Sequence, residues 1–210
     1  QVESTLFRVP RGVLAEHSEV FQGMFSLPSG GIFAEGMSDE NPIFLRDIVS
    51  QDFKSLLKVL LSRLVNESGD NLPSSIEEWT SVLKLSHLWG MEDISSLAVE
   101  KMSAFAIDPV DKAALAVQYD VKAWLTPALN NIARREKPLT KEDVDKLGLD
   151  FVLKIAEVRE SLTRVSTGTN SHSDDNGDPC VQSDIGVGKR YVGDLDFTTR
   201  IDEVFHDYLS

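Results

Sequence analysis

Residues 5–25 read TLFRVPRGVLAEHSEVFQGMF, and the reading of this stretch decides the fold. From Thr5 to Val9 a run of β-branched and aromatic residues alternates with polar ones, which predicts a strand. Pro10 and Gly12 then stop the ladder and turn the chain. Val13 to His17 reads as one helical turn. Ser18 is placed to cap the next helix, where Phe21, Met24 and Phe25 recur at i, i+3 and i+4 and so share one face. An aromatic face of that kind has to be covered by something.

Working outward, Leu27 to Pro42 shifts to Ser, Gly, Asp and Pro and reads as a solvated loop, after which Ile43 to Leu45 can add an edge to a sheet. Ser50 reads as the cap of a long helix with Asp52 in its first turn. Phe53, Leu56, Leu57, Leu60, Leu61 and Leu64 follow helical spacing along it. Ser75-Ile76-Glu77-Glu78 has the spacing of a capping box, and the helix behind it carries Trp79, Val82, Leu83 and Leu85 before Gly90 ends it. A further helix from Met91 places Ile94, Leu97, Ala98, Met102 and Phe105 on one side. Asp108-Pro109 opens the next.

Val121 to Arg135 carries Leu125, Ala128, Leu129 and Ile132 at helical spacing, with Pro127 in the first turn or at a kink. Thr140 caps a short helix that ends before Gly148, and a longer one follows from Asp150 to Thr163. Residues 165–190 are rich in Ser, Gly, Asp and Asn and are expected to form a disordered acidic linker. Phe197, Ile201, Val204, Phe205 and Leu209 then predict a terminal amphipathic helix over 191–210. No internal repeat is visible.

The bulk properties bound what such a chain can do. At 210 residues, 41% hydrophobic and 26% charged, it falls in the globular range. Its single cysteine, Cys180, cannot form an intrachain disulfide, which points to a cytoplasmic or nuclear setting. No stretch is long and apolar enough to span a bilayer, and no signal-peptide pattern opens the chain. The chain opens on Gln1 in the middle of strand-like sequence, so further residues are expected upstream. The formal charge of −13 repels phosphate backbones. From residue 165 onward nine acids stand against three bases, which we attribute to solvation. Asn66-Glu67-Ser68 fits a glycosylation pattern that has no use without a secretory route.

The order strand, turn, helix pair, loop, short strand, long helix, helix pair resembles the BTB/POZ fold over residues 1–105. The sequence is similar in particular to the fungal, basidiomycete-type BTB subgroup. There LFRVPR, FQGMFSLP, SDENPIFL, LKLSHLWGMEDISSLAVEKM and KPLTKEDVDKLGLDFVLKIAEVRE recur in similar form, which carries the likeness to about Glu160. Pro10 stands where most BTB domains have histidine. The family's first strand, part of a swapped dimer interface, is represented here by Gln1 to Ser4. The helices after residue 105 resemble the helical extension that follows many BTB domains.

What the resemblance implies is a small mixed sheet flanked by helices and a role in homo- or hetero-oligomerisation. In some members the domain bridges substrates to cullin-type ubiquitin ligases. Those adaptors use an apolar-x-Glu pattern after the long helix, which Val65-Asn66-Glu67 fits; a solvated loop that happens to hold a glutamate has the same three residues.

Other chemistries lack their residues. No G-x-S-x-G turn occurs, and Cys180 has no cation nearby in sequence to activate it. His17, His87, His172 and His206 show no metal-ligand spacing. Gly186-Val187-Gly188-Lys189 lacks both the leading glycine and the following hydroxyl residue of a phosphate loop. Glu77-Glu78, Glu92-Asp93 and Glu142-Asp143 all fall in first helical turns, where the helix dipole favours them. Trp79, Trp89 and Trp124 read as core, and Ser171-x-x-Asp174 resembles an acid-directed phosphorylation site.

The expectation is therefore an α+β, helix-rich interaction module that is not an enzyme and needs no cofactor or metal. It comprises a BTB/POZ-like domain (1–105), a helical extension (106–164), the linker (165–190) and the terminal helix (191–210). Partners are proteins: a second copy in a homodimer, a cullin-type scaffold, or transcriptional regulators, with neither nucleic acid nor membrane bound directly. The partner-binding residues singled out are Val13, Val20 and Phe21 on the opening helices, and Val65 and Glu67 after the long one.

Overall fold

The computed structural model describes residues 1–27, 35–65, 71–166 and 195–209. They form two compact units, Gln1–Ala106 and Ile107–Ser210. The first holds α1 (Arg11–His17), α2 (Glu19–Ser26), α3 (Ser50–Val65), α4 (Ile76–Leu88) and α5 (Glu92–Met102). The second holds α6 (Pro109–Gln118), α7 (Lys122–Arg134), α8 (Lys141–Leu147), α9 (Leu149–Ser166), α10 (Thr198–Val204) and α11 (His206–Leu209). Of the expected linker (165–190), residues 165 and 166 instead end α9, and residues 167–190 lie outside the described residues.

The first unit is built on α3. Phe53, Leu56, Leu57, Val59 and Leu60 are buried along it, and α4 packs against it with Trp79, Val82, Leu83 and Leu85. α5 packs against α4 and buries Ile94, Ala98 and Met102. Side chains of this size stabilise the fold by about 1.5–3 kcal/mol each on burial, before the entropy of ordering them is subtracted. Between α4 and α5 the chain reverses at Gly90, whose φ of +61° lets the Met91 amide donate back to the Ser86 carbonyl at 2.8 Å.

The expected small mixed sheet is not formed: the described residues contain isolated bridges and no strand. The first reason is local. Val2 and Thr5 exchange two backbone hydrogen bonds of 2.9 Å around Glu3, which has a φ of 50°, so a tight turn occupies the place where a ladder would begin. The second is the partner segment. Gln1 and Val2 pair with Ile43 to Leu45 in parallel through a single bridge, too short to propagate. Thr5 to Val9 nevertheless keeps its alternation, with Thr5, Phe7 and Val9 half-buried and Leu6 and Arg8 exposed. Phe7 meets Phe53 of α3 edge-on at 5.0 Å, so side-chain burial, not a ladder, holds this segment.

Two helix starts also differ from expectation. α3 begins at Ser50 itself, and the distant Glu3 carboxylate accepts the Ser50 amide at 2.9 Å. At α4 the Ser75 hydroxyl accepts the Glu78 amide as expected, but the Glu78 carboxylate turns to the Ser74 amide and to Lys58 on α3. One Glu78 oxygen takes the Lys58 ammonium and the other the Ser74 amide, so both are engaged away from the Ser75 amide.

In the second unit, Asp108 caps α6 by accepting the Val110 amide at 2.9 Å, and Pro109 fills the first helical position. α6 packs on α7, and α8 and α9 close against α6 and α7. α7 accommodates Pro127 inside the helix and buries Trp124, Leu125, Ala128, Leu129, Ile132 and Ala133. A complete capping box forms at α8, where Thr140 and Asp143 each accept the other's amide. The terminal segment packs back on α7 and α9, breaking at Phe205 into α10 and α11 and burying Phe197, Ile201 and Phe205. Among the described residues no helix is long and apolar enough to cross a membrane.

Candidate functional site

In the first unit the extended residues 5–9, the start of α1, the inner face of α2 and residues 36–45 enclose a cavity of about 670 Å³. Its apolar lining includes Leu6, Val9, Leu14, Met24, Phe25 and Ile43. The walls are tied together by polar contacts. Arg8 makes a two-pronged ion pair with Asp39, which holds that carboxyl below its ordinary range. Arg11 donates to the Glu35 carbonyl at 3.1 Å while its guanidinium lies 5.3 Å from the centre of the Phe25 ring. The far wall turns tightly at Gly36, with a φ of +74°, where an added Cβ would come within 2.8 Å of the Ile43 side chain.

Large apolar side chains are exposed in the segments around this cavity. Leu6, Met37 and Phe44 are 42%, 69% and 59% exposed. Leu6 and Met37 line the cavity itself, whereas Phe44 stands in the chain between two lining residues, Ile43 and Leu45, and is not part of the lining. Large side chains clustered at a concave surface mark contact sites for other molecules more often than do scattered ones.

Of the residues singled out in the sequence, Val13 and Phe21 are buried within the unit, at 4% and 3% exposure. Phe21 stacks edge-on against Trp89 at 5.0 Å and lies 5.9 Å from Phe25, and Trp89 in turn meets Phe53 at 6.0 Å. Val20 points outward and is 55% exposed. Val65 ends α3, and Glu67 lies outside the described residues. Sequence reasoning missed Leu6, Met37 and Phe44. The alternation from Thr5 to Val9 already set Leu6 on the face opposite Phe7; Met37 and Phe44 sit in segments whose periodicity is too short to assign a face.

Several titratable groups of the first unit make contacts between its elements. His17 shares a hydrogen bond of 2.8 Å with Asp93. Burial raises Asp52, but hydrogen bonds from Lys84 and Ser81 outweigh it and its carboxyl lies below the ordinary range. Lys58 and the Ser74 amide hold Glu78 low. Among the described residues no three of His, Cys, Asp and Glu come together as a metal site. His172, Cys180, the 186–189 glycine segment and Ser171 lie outside the described residues.

A family model described as the BTB/POZ domain matches residues 1–105. No curated protein and no solved structure matches the chain.

Proposed function

Because the chain belongs to the BTB/POZ domain family, whose domain is a protein–protein interaction module, we propose that it works without catalysis, by self-association or adaptor binding through the apolar face of its first unit. The observation that carries this reading is the exposure of Leu6 and Met37 on the lining of a cavity that also takes in Leu14, Met24 and Phe25. Burying such side chains against a partner removes apolar area from water at about 25 cal/mol per Å². The charge of −13 supports protein partners over nucleic acid, and the lone Cys180 supports a cytoplasmic or nuclear setting.

The test is substitution on that face. Leu6→Asp and Met37→Asp place charges where a partner would have to desolvate them. Each is expected to weaken association roughly tenfold or more, equivalent to about 1.4 kcal/mol, with the circular-dichroism spectrum unchanged. Unchanged association in both variants, read by sedimentation velocity or by capture of the partner, would remove this face from the proposal.

A cullin-adaptor role is the second reading, favoured by one observation: α3 runs to Val65, which puts Val65-Asn66-Glu67 directly after the long helix. Recovery of ligase subunits with the chain from cell extracts would support it. Co-purification of chromatin proteins instead would point to a regulatory subunit in transcription.

A further inference from the structure

The terminal segment of the second unit is held the way a bound peptide is held. On α7, Asn130 is buried, yet both ends of its amide are engaged: its oxygen accepts the Phe197 amide at 2.8 Å, and its nitrogen donates to the Thr198 hydroxyl at 3.1 Å and the Thr126 carbonyl at 3.3 Å. Arg134 donates to the Leu195 carbonyl. These contacts read the backbone of a segment more than sixty positions away in sequence. Behind them, Phe197, Ile201 and Phe205 follow at four-residue spacing and are 4%, 0% and 0% exposed.

Charges along the groove set direction and register. Asp196 lies 4.0 Å from Arg134, Arg200 pairs with Glu157, and Asp207 lies 3.6 Å from Lys154. The segment thus presents minus, plus, minus to a groove that presents plus, minus, plus. Lys154 also sits 5.8 Å and 5.0 Å from the ring centres of Phe205 and Tyr208, and Phe151 of α9 meets the same two rings at 4.9 Å and 5.2 Å. Individually exposed ion pairs of this kind contribute little to stability, but three in alternating order penalise a reversed or slipped helix.

We propose that the α7–α9 face is an exchangeable docking site for an acidic amphipathic helix with anchors at four-residue spacing. Residues 195–209 occupy it in cis, and the same segment of a second copy of the chain takes their place in trans. Residues 167–194, which connect the segment to α9, have a fully extended reach on the order of 90 Å, ample for either arrangement. An intramolecular occupant competes at an effective concentration of about millimolar, so the site is closed to weak external helices until the segment is released.

The experiment uses the full chain carrying Ile201→Asp and Phe205→Asp, which disables its own segment, and a fluorescent peptide of residues 195–209 read by anisotropy. The peptide is expected to bind the double variant roughly tenfold or more tighter than it binds the wild-type chain. Adding Lys154→Glu to the variant should weaken binding, and an Asp207→Lys peptide should restore it. Equal or absent binding, with helicity retained, overturns the proposal. So does collapse of the second unit in the double variant, because the segment would then be an inseparable part of the core. Hydrogen exchange on the wild-type chain gives an independent reading: residues 195–209 should exchange faster than the buried amides of α7 and α9, and equal protection contradicts exchangeability.

Discussion

Replacing Phe21 with Ala is expected to destabilise the first unit by about 3–5 kcal/mol, a large part of the stability of an ordinary domain. Phe21 is 3% exposed and stands between Trp89 and Phe25, and Trp89 carries the contact on to Phe53 of α3. Truncation opens a cavity in a chain of edge-on rings that joins the opening helices to the core, and rigid rings cannot collapse to refill it. The adjoining backbone is fixed as well, since the buried Ser18 hydroxyl donates to the Trp89 carbonyl at 2.6 Å. Val20→Ala, one residue away and exposed, should change stability by no more than about 0.5 kcal/mol. Urea unfolding of the two variants separates these outcomes; similar midpoints would mean that the ring cluster does not hold the unit together. Phe21 is therefore a poor probe of any interface, because its loss acts on the fold first.

The second large effect is expected at Asp143. Its carboxylate accepts the Thr140 amide at 2.8 Å to close the α8 capping box and forms a two-pronged ion pair with Arg135, while only 6% of the residue is exposed. Asp143→Ala leaves Arg135 without its carboxylate and the Thr140 amide without its acceptor, and should cost about 3 kcal/mol. Asp143→Asn keeps the shape and should cost less. The pair also gives a pH signature. Hydrogen bonding from Arg135 holds Asp143 below the ordinary carboxylate value of about 3.9. The unfolded chain therefore takes up this proton first as pH falls. The contribution of the pair is complete above the unfolded value and is lost as pH drops through the lower, folded one. Asp143→Asn should flatten that part of the acid limb of a pH–stability profile. An acid limb identical to that of the unsubstituted chain would show that the pair is not coupled to folding.

The helices were the legible part of this molecule, because each announces itself several times over. At α6, Asp108, Pro109 and the apolar spacing agree; at α8, Thr140 and Asp143 close the box that the sequence spaces out. Long-range competition was not legible. Nothing near Ser50 reveals that Glu3 caps α3, nor does anything near Ser75 reveal that Lys58 draws Glu78 away. The sheet failed for a related reason. Thr5 to Val9 has the alternation of a strand, but a ladder needs a partner with free amides, and Val2 and Thr5 spend theirs on each other in a turn. The partner face was the least legible. Val13, Val20 and Phe21 look alike as apolar helix residues, yet Trp89, far away in the chain, decides that Phe21 is core while Val20 faces outward. Leu6 and Met37 emerge only when two irregular segments are brought to one cavity.

The central claim is that the first unit of this BTB/POZ chain presents an apolar docking face. Sedimentation equilibrium of the full chain over a range of micromolar concentrations tests it most directly. The account predicts a concentration-dependent rise in mass from 23.3 kDa toward twice that value, reversed by Leu6→Asp. A mass fixed at 23.3 kDa throughout, with no partner protein captured by the unsubstituted face, would contradict it.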